Sequence, residues 1–559
     1  MSSSGPDGSY PGPGPVSTEE DRVVRSAGVV AGATLASRVL GLARDVVVAN
    51  LFAAAATDAF FVAFMIPNLL RRLVGEGSLT VSFVPVFSSW LQRSREAARQ
   101  VFGAVWTLGF VVGLVIALAG ILLADPLVSL FAPGFQLEEG KSELAASLLR
   151  LCFPYILAMI LLSVAMGALN SLGHFLAPAI APVALNVCLI AAAFAGVAFL
   201  GSPILALGVA VIVAGIVQVM MQLPALRARG MAPRVVWNLR HPAVRSIGVL
   251  MLPAVLGASV FQLNLLLSRF LASFLGDGAI SYLYYASRLL ELPLGIFVFA
   301  LGTASLPTFS RQISAGDRPG LQRTFSTTLG TLLALALPSS IGLAMLCEPI
   351  FAVFFGLNSE TFGLAAVEAS SAALFYYAFG LVPIALTRIY TNLCIAHENT
   401  ATGARGAVFG LVVNAAASLV LIGPLPAGPL PDWFTTVQQR MVVADLGFVG
   451  LAVANTIAAT ANCAYVVWSA RRLYGSQVRR ADLVGLLKVV GGAGVLIAVL
   501  HLADAILPIP LEASLASLAT LALHLFLGVA GYGMALHLLG SSQLQLLRDL
   551  LRRRGLSDR

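Results

Sequence analysis

The sequence predicts an all-α integral membrane protein, and three observations carry this prediction. First, 58% of the 559 residues are apolar and only 11% are charged, whereas a soluble domain carries about 25% charged residues. Second, the mean hydropathy of the chain is +0.90. Third, apolar segments of about 20 residues or more, the length that crosses a bilayer as a helix, recur along most of the chain.

Fourteen segments are long enough to span a bilayer. We expect helices near 26–53, 59–90, 101–124, 144–171, 177–200, 203–225, 246–275, 279–309, 325–347, 362–395, 403–424, 446–470, 483–503 and 512–540. Residues 1–24 form a polar tail rich in Gly, Pro and Ser, without the apolar core of a cleaved signal peptide. We predict that this tail is disordered and cytoplasmic, and that 542–559 is a basic cytoplasmic tail.

The connections between these segments alternate in charge. Arginines occupy every second connection, for example Arg93 and Arg95, Arg227 and Arg229, Arg311 and Arg318, Arg471 and Arg472, and finally Arg552 to Arg554. The intervening connections are acidic or neutral. Because an excess of positive charge marks the cytoplasmic side, both termini are predicted to face the cytoplasm, as an even number of helices requires.

Two stretches of 31 residues, 58–88 and 280–310, align without gaps, and both end in a Pro-x-Phe-Ser phrase. The alignment predicts two parallel copies of a six-helix lobe, an N-lobe at 25–240 and a C-lobe at 241–475. Repeated lobes around a central cavity are typical of transporters. The remaining helices, within 476–541, lie outside the repeat.

Charged residues inside the predicted spans are the strongest functional signal. We count five arginines and three acids: Arg38, Arg44, Arg71, Arg72 and Arg288, with Asp45, Glu76 and Glu291. Each arginine at the centre of a membrane helix costs roughly 2.5–3.5 kcal/mol when it faces lipid, so we expect these side chains to converge on one wet cavity. The surplus of two positive charges suits an anionic ligand, and guanidinium groups bind phosphate oxygens in pairs.

Helical spacing offers an alternative, a purely structural network of ion pairs. It places three pairs on shared helix faces: Arg38 with Asp45, Arg72 with Glu76, and Arg288 with Glu291. Such a network accounts for three of the five arginines.

The sequence offers no metal, nucleotide or catalytic site. The five cysteines are scattered and the six histidines form no cluster with them, so we predict no metal site and no cofactor. The stretch "GFQLEEGKS" (134–142) has five residues between its glycines, where a phosphate loop has four. The basic surplus also implies no nucleic-acid partner, because it is distributed over membrane connections.

Six stretches together resemble the MurJ (MviN) family of bacterial lipid II flippases, within the multidrug/oligosaccharidyl-lipid/polysaccharide exporter superfamily. They are "SRVLGLARD" (37–45), "TDAFFVAFMIPNLLRRLVGEG" (57–77), "FVPVFS" (83–88), "FPYIL" (153–157), "ALNSLGHFLAPAIAPVALN" (168–186) and "YYASRLLELPLG" (284–295). The resemblance covers most of 25–475. The chain departs from the family's usual pattern at Met65, at Ser287 and in 397–403.

The resemblance implies fourteen helices, two pseudo-symmetric lobes around a central cavity that alternates its opening, and a groove formed by the last two helices for a polyprenyl tail. It also implies site residues. The family's cavity arginines fall on Arg38, Arg44, Arg71 and Arg288, and its associated acids fall on Asp45, Asp58, Glu76 and Glu291, with Arg72 as close support. Some members bind sodium in the C-lobe through acidic ligands, but 401–430 contains no Asp or Glu.

We therefore predict a transporter, not an enzyme, of the bacterial inner membrane. It would move lipid II, a polyprenyl pyrophosphate-linked peptidoglycan precursor, from the cytoplasmic to the periplasmic leaflet. The expected driver is the membrane potential, and the expected partners are lipid II, membrane lipids and, as candidates, cell-wall synthesis proteins. Two alternatives are transporters: an exporter of another polyprenyl-linked sugar, and a drug/cation antiporter of the same superfamily. Two others are a polyprenyl-phosphate sugar transferase and an inactive membrane scaffold. The transferase would need a carboxylate pair or an Asp cluster.

Overall fold

The computed structural model describes residues 17–73, 79–199, 201–238, 240–478 and 480–541. In these ranges the regular elements are helices, and the one β-type contact is an isolated bridge between Ile422 and Asp445. The α-helices are α1 Ser17–Leu51, α2 Ala54–Leu70, α3 Thr80–Arg93, α4 Arg95–Leu122, α5 Ala124–Phe131, α6 Lys141–Cys152, α7 Tyr155–Ser171, α8 Leu176–Phe199, α9 Leu205–Ala228, α10 Pro242–Ala272, α11 Ala279–Pro293, α12 Phe299–Ser314, α13 Arg318–Met345, α14 Cys347–Phe355, α15 Leu364–Ala396, α16 Ala401–Leu421, α17 Asp432–Met441, α18 Val449–Tyr474, α19 Arg480–Ile506 and α20 Leu515–Leu538. The all-α prediction is confirmed.

Twelve helical stretches of the described chain are long and apolar enough to cross a membrane. Two further predicted spans, near 26–53 and 246–275, correspond to α1 and α10, which are 35 and 31 residues long. Both helices exceed the length that a bilayer requires. The structure is therefore compatible with fourteen spans. The terminal tails lie outside the described residues, apart from 17–24, which belong to α1.

The internal repeat is visible as a shared irregularity. The predicted second span consists of α2, a π-helical turn at 71–73, and α3, while 74–78 lie outside the described residues. Its counterpart consists of α11, a π-helical segment at Leu294–Val298, and α12. In the alignment of the two stretches, Arg71 corresponds to Pro293, so both copies change helix type at the same place. Such π segments are often found at functional sites.

The strongest helix contacts lie within each half of the chain, and α10 also packs against α3. α1 packs against α8, α2 against α6, and α4 against α7, whereas α11, α13 and α18 all pack against α15. The helices outside the repeat, α19 and α20, pack against each other and against α13 of the C-lobe. The Tyr532 hydroxyl of α20 donates a hydrogen bond of 2.9 Å to the Ala334 carbonyl of α13. The last two helices are thus an appendage of the C-lobe.

Direct hydrogen bonds join the two lobes at one end of the bundle. The Asn50 side chain at the end of α1 accepts from the Asn358 amide at 2.8 Å, and the Asn50 carbonyl accepts from the Thr361 hydroxyl at 2.8 Å. The hydroxyls of Thr57 on α2 and Ser281 on α11 lie 2.8 Å apart. We call this region, where α1 ends and α2 and α11 begin, the closed end. Its connections are those that the charge pattern predicts to be external.

Candidate functional site

The candidate site is a cluster of guanidinium and carboxylate groups between α1 and α11, and Arg44 and Asp45 form its buried centre. The Arg44 Nε and Nη2 atoms donate to Asp45 Oδ1 at 2.9 and 2.6 Å. Arg44 Nη1 donates to Asn186 Oδ1 of α8 at 3.1 Å. The sequence predicted that both charges lie in the site but not that these adjacent residues pair with each other.

Arg288 of the C-lobe completes the centre from the other side. Its Nε donates to Asp45 Oδ2 at 3.1 Å, and its Nη1 donates to Glu291 Oε2 at 2.8 Å. One carboxylate of the N-lobe thus lies between two guanidinium groups, one from each lobe. Side-chain exposure rises from 9% at Arg44 to 30% at Arg288 and 53% at Glu291. Since α11 runs away from the closed end, the cluster is open toward the opposite end of the bundle.

Arg38 approaches the same cluster two turns along α1. Its Nη1 lies 3.3 Å from the Glu291 carbonyl oxygen and donates to it. This approach depends on Gly295, because a Cβ atom there would overlap the Arg38 guanidinium. Gly41 is not required in the same way, because a Cβ atom there would lie 3.4 Å from Arg288 Nη2, an ordinary van der Waals distance. The missing side chain at Gly295 therefore lets Arg38 reach the cluster.

Tyr284 links the arginines to the rest of the interface. Its hydroxyl accepts from Arg44 Nη2 at 2.9 Å, and the centre of its ring lies 5.6 Å from the Arg288 Cζ atom. The ring also stacks on Phe61 of α2, with centroids 4.1 Å apart. Tyr284 belongs to the stretch 284–295 that resembles the family. Its aromatic character alone did not identify it as a site residue. Its role depends on contacts across the lobes.

Arg71 and Arg72 lie at the π turn that follows α2. Arg71 Nε donates to Asn68 Oδ1 at 2.7 Å, and Arg71 and Arg44 both lie within electrostatic range of the Tyr155 hydroxyl. Glu76, the predicted partner of Arg72, lies outside the described residues. The pairing of Arg72 with Glu76 therefore stays a prediction, as does the contact of Arg71 with substrate.

Asp58 lies at the closed end, where it caps α11. Its Oδ2 accepts from the Gly278 amide at 2.7 Å, and its Oδ1 accepts from the Ser281 amide at 2.8 Å and the Ser281 hydroxyl at 2.7 Å. A carboxylate at a helix N-terminus satisfies amides that have no partner within the helix. Because α2 and α11 belong to different lobes, Asp58 joins the lobes at the closed end.

Lys141 extends this link. Its Nζ lies 3.4 Å from Asp58, 2.6 Å from Asp277 and 2.8 Å from Glu138. Partial burial raises the pKa of Glu138, and a hydrogen bond to Asp277 adds to the rise. Partial burial alone would also raise the pKa of Asp277, but hydrogen bonds with Glu138 and Lys141 outweigh it and lower the pKa. The lysine of the stretch that mimics a phosphate loop thus binds carboxylates across the closed end.

The part of the C-lobe around 401–430 is neutral where it is buried. Asn414 and Ser418 of α16 are fully buried, and Asn414 Nδ2 donates to Asn264 Oδ1 of α10 at 2.8 Å. Within the described ranges, no group of three or more His, Cys, Asp or Glu side chains is arranged to hold a metal ion.

The count of intramembrane arginines from sequence was incomplete. Arg269 of α10 lies within the predicted span 246–275, and Arg388 of α15 lies within 362–395, while Arg150 and Arg405 lie near the ends of 144–171 and 403–424. The Arg269 Cζ lies 5.4 Å from the centre of the Tyr284 ring, and the Arg388 Cζ lies 5.7 Å from that of Phe299. Neither stands beside a carboxylate in the sequence, so the search for charge pairs passed over both. A plain list of arginines inside the spans would have found them.

The fold and the site define a class of protein. Two similar helical lobes, joined at one end and bearing charged groups between them, are the architecture of a secondary transporter with a central binding site. Comparison with known proteins identifies the family. The family model described as lipid II flippase MurJ matches residues 47–510, and the chain belongs to this family. A member of it is a transporter rather than an enzyme.

Relatives match over most of their length. A protein of Vibrio cholerae serotype O1 named probable lipid II flippase MurJ is 36% identical over 460 residues, which cover 80% of this chain and 82% of that one. One of Bdellovibrio bacteriovorus with the same name is 33% identical over 537 residues, covering 95% and 98%.

Solved structures agree on the fold. A lipid II flippase MurJ in an inward closed conformation has a TM-score of 0.71 at 22% identity, covering 93% of this chain and 99% of that one. An inward-facing multidrug resistance transporter of the MATE family has a TM-score of 0.64 at 15% identity, covering 78% and 94%. Since drug transporters share this fold, the fold does not select the substrate, and the chemistry of the site must do so.

Proposed function

We propose that this protein flips lipid II from the cytoplasmic to the periplasmic leaflet of the bacterial inner membrane by alternating access. The observation that carries the proposal is the convergence of Arg44 and Arg288, one from each lobe, on the single carboxylate of Asp45. Together with Arg38 and Glu291, this cluster holds three positive and two negative charges. The net positive charge favours binding of an anion, which would replace the carboxylates as the ligand of the guanidinium groups.

The pyrophosphate of a lipid-linked precursor suits this arrangement. Guanidinium groups donate parallel hydrogen bonds to phosphate oxygens, and Arg288 still has exposed surface on the side away from the closed end. The headgroup would enter from that side while the lobes stay joined by Asp58 and Asn50. The polyprenyl tail would remain in the bilayer or in a groove beside α19 and α20.

The site disfavours the alternative of a drug/cation antiporter. A cation would need a surplus of carboxylate, whereas the cluster is basic even before Arg71 is added. An exporter of a different polyprenyl-linked sugar shares the pyrophosphate and remains the second candidate. The arginine cluster is equally suited to both substrates, so the glycan and peptide must be tested directly.

The test is rescue of cells depleted of their own lipid II flippase, followed by flipping in vesicles. We expect rescue by the wild-type gene and loss of rescue in Arg44→Ala and Arg288→Ala proteins that still reach the membrane at normal levels. In vesicles, purified protein should expose lipid II but not a polyprenyl pyrophosphate bearing another glycan. Rescue by Arg44→Ala and Arg288→Ala alike would contradict the proposed binding site, and failure of the wild type in both assays would contradict the proposed substrate.

A further inference from the structure

Arg269 is a partly buried arginine outside the cluster of Arg38, Arg44 and Arg288. It lies on α10, and its Nη1 donates to the Ile280 carbonyl of α11 at 2.7 Å. Its Cζ atom lies 5.4 Å from the centre of the Tyr284 ring. Among the residues that the structure describes, no ion pair includes Arg269. One carbonyl and one aromatic face hold the group but do not neutralise its charge.

Tyr284 therefore stands among three guanidinium groups. Arg44 donates to its hydroxyl, while Arg269 and Arg288 lie near its ring. Positive charges around one ring repel each other, and a charge that forms no ion pair is costly in a membrane. The carboxylates of Asp58 and Glu291 act on Arg269 electrostatically and compensate it only in part. Asp45 compensates Arg44 and Arg288 but makes no contact with Arg269. An anion beside Tyr284 would relieve the repulsion that Asp45 leaves.

The three arginines stand at different depths. Helices rise about 1.5 Å per residue, so Arg269 lies about 5 Å before the end of α10. By the same rise, Arg44 lies about 10 Å before the end of α1, and Arg288 about 14 Å beyond the start of α11. Both helix ends and the start of α11 belong to the closed end. Arg269 is therefore the arginine nearest to the side that the charge pattern predicts to be external.

We propose that Arg269 is an exit-side binding residue for a diphosphate anion. The proposal rests on the proposed function, and it adds a second contact that the headgroup makes only after the closed end has opened. While the Asp58 link holds α2 on α11, Arg269 is partly covered and donates to the Ile280 carbonyl. When that link breaks, the anion passes from Arg44 and Arg288, around the Tyr284 ring, to Arg269. Two positions on one path lower the barrier between entry and release.

A merely structural role for Arg269 makes different predictions. As a staple between α10 and α11, it would matter through its bond to the Ile280 carbonyl, and its loss would lower stability and all activities together. As an exit-side contact, it would matter for translocation and little for the first binding of the headgroup. The two roles are separated by measuring binding and flipping on the same protein.

The experiment uses full-length protein in vesicles with lipid II as the probe. Arg269→Gln should bind lipid II within about twofold of wild type but flip it roughly tenfold or more slowly, the loss expected for one charge-assisted hydrogen bond. Arg269→Lys should recover part of the rate. Arg388→Gln, which removes a membrane arginine held over Phe299 instead of Tyr284, is the matched control and should flip as wild type does.

Normal flipping by Arg269→Gln would overturn the proposal. So would a parallel loss of binding, flipping and thermal stability that Arg269→Lys does not repair. If wild-type protein neither binds nor flips lipid II, the proposed function itself has failed, and a measurement independent of lipid II then decides on Arg269.

That measurement uses inorganic pyrophosphate as the probe. Pyrophosphate should raise the apparent Tm of Asp58→Asn protein, whose closed end is weakened. The rise should shrink in the Asp58→Asn/Arg269→Gln double variant and persist in Asp58→Asn/Arg388→Gln. An equal response of the two double variants, including none in either, would overturn the exit-side contact.

Discussion

Replacing Asp45 by Asn tests whether one carboxylate holds the two lobes' arginines together. Asp45 is 1% exposed and receives hydrogen bonds from Arg44 at 2.9 and 2.6 Å and from Arg288 at 3.1 Å. Asn preserves the shape and one acceptor oxygen but removes the negative charge. Arg44 then loses the counter-ion that Asp45 provides, and Arg288 keeps only its more exposed pair with Glu291. The matched control is Glu291→Gln, which removes a charge from the same cluster.

The structure sets the expected magnitudes. Removing one partner of a buried ion pair costs about 3–5 kcal/mol, and the acceptor that Asn retains favours the lower end of this range. Glu291 is 53% exposed and makes one ion pair, at 2.8 Å with Arg288. Exposed pairs contribute about 0–1 kcal/mol. We therefore expect the free energy of unfolding to fall several times further in Asp45→Asn than in Glu291→Gln.

Both variants are measured by chemical unfolding in mixed micelles, with and without inorganic pyrophosphate. Pyrophosphate should restore part of the loss in Asp45→Asn, because an anion can bridge the same two guanidinium groups. It should change Glu291→Gln little. Equal destabilisation of the two variants, or no response of Asp45→Asn to pyrophosphate, would refute the reasoning that the cluster is a basic site closed by a single buried acid.

Three further outcomes are expected. Asp58→Asn should speed hydrogen exchange of the amides that begin α11, because these amides donate to Asp58. Asp277→Asn, whose side chain is 57% exposed, should not speed it. Equal protection of these amides in both variants would contradict the closed-end link. Arg71→Ala should abolish rescue of flippase-depleted cells while the protein still inserts into the membrane. Arg72→Ala should reduce rescue less. Equal loss of protein level in both variants would favour a structural ion-pair network. Flipping should stop when the membrane potential is collapsed at constant sodium, since the potential is worth about 2.3 kcal/mol per charge per 100 mV. It should continue when sodium is replaced at constant potential. The reverse result would reveal a sodium site despite the absence of acids in 401–430.

The fold was predictable from sequence because bilayer physics leaves few choices. Apolar length and charge alternation predicted a multi-span helical protein, and the repeat at 58–88 and 280–310 predicted matching helix pairs. In the structure both stretches contain a π segment, and the two segments begin within one residue of each other in the alignment. What sequence could not predict is the residue at which α2 ends, because Pro67 weakens a helix without fixing its last residue.

The site was predictable in part. The cost of charge in lipid predicts convergence of all five arginines, and Arg38, Arg44 and Arg288 do meet beside Asp45 and Glu291. For Arg71 and Arg72 the convergence stays a prediction. The pairing within the cluster was not predictable, because spacing on one helix suggested Arg38 with Asp45, whereas the bonds of Asp45 run to Arg44 and Arg288. The closed-end function of Asp58 depends on helices more than 200 residues apart in sequence. Tertiary contacts of this range leave no local pattern.

One rigid element connects the site to the closed end. The first turn of α11 binds Asp58, its second turn carries Tyr284, its third carries Arg288, and its fourth carries Glu291. An anion that displaces Asp45 from Arg288 therefore weakens the attachment of α11 to α1 while Asp58 still holds the start of α11 on α2. The middle of helix α11 then keeps only its contacts with Arg38, Arg44 and Phe61, while its start stays fixed at the closed end. Occupancy of the cluster and strength of the closed end are thus coupled through a helix of fifteen residues, and an acid at position 45 is needed to restore the attachment once the anion has left.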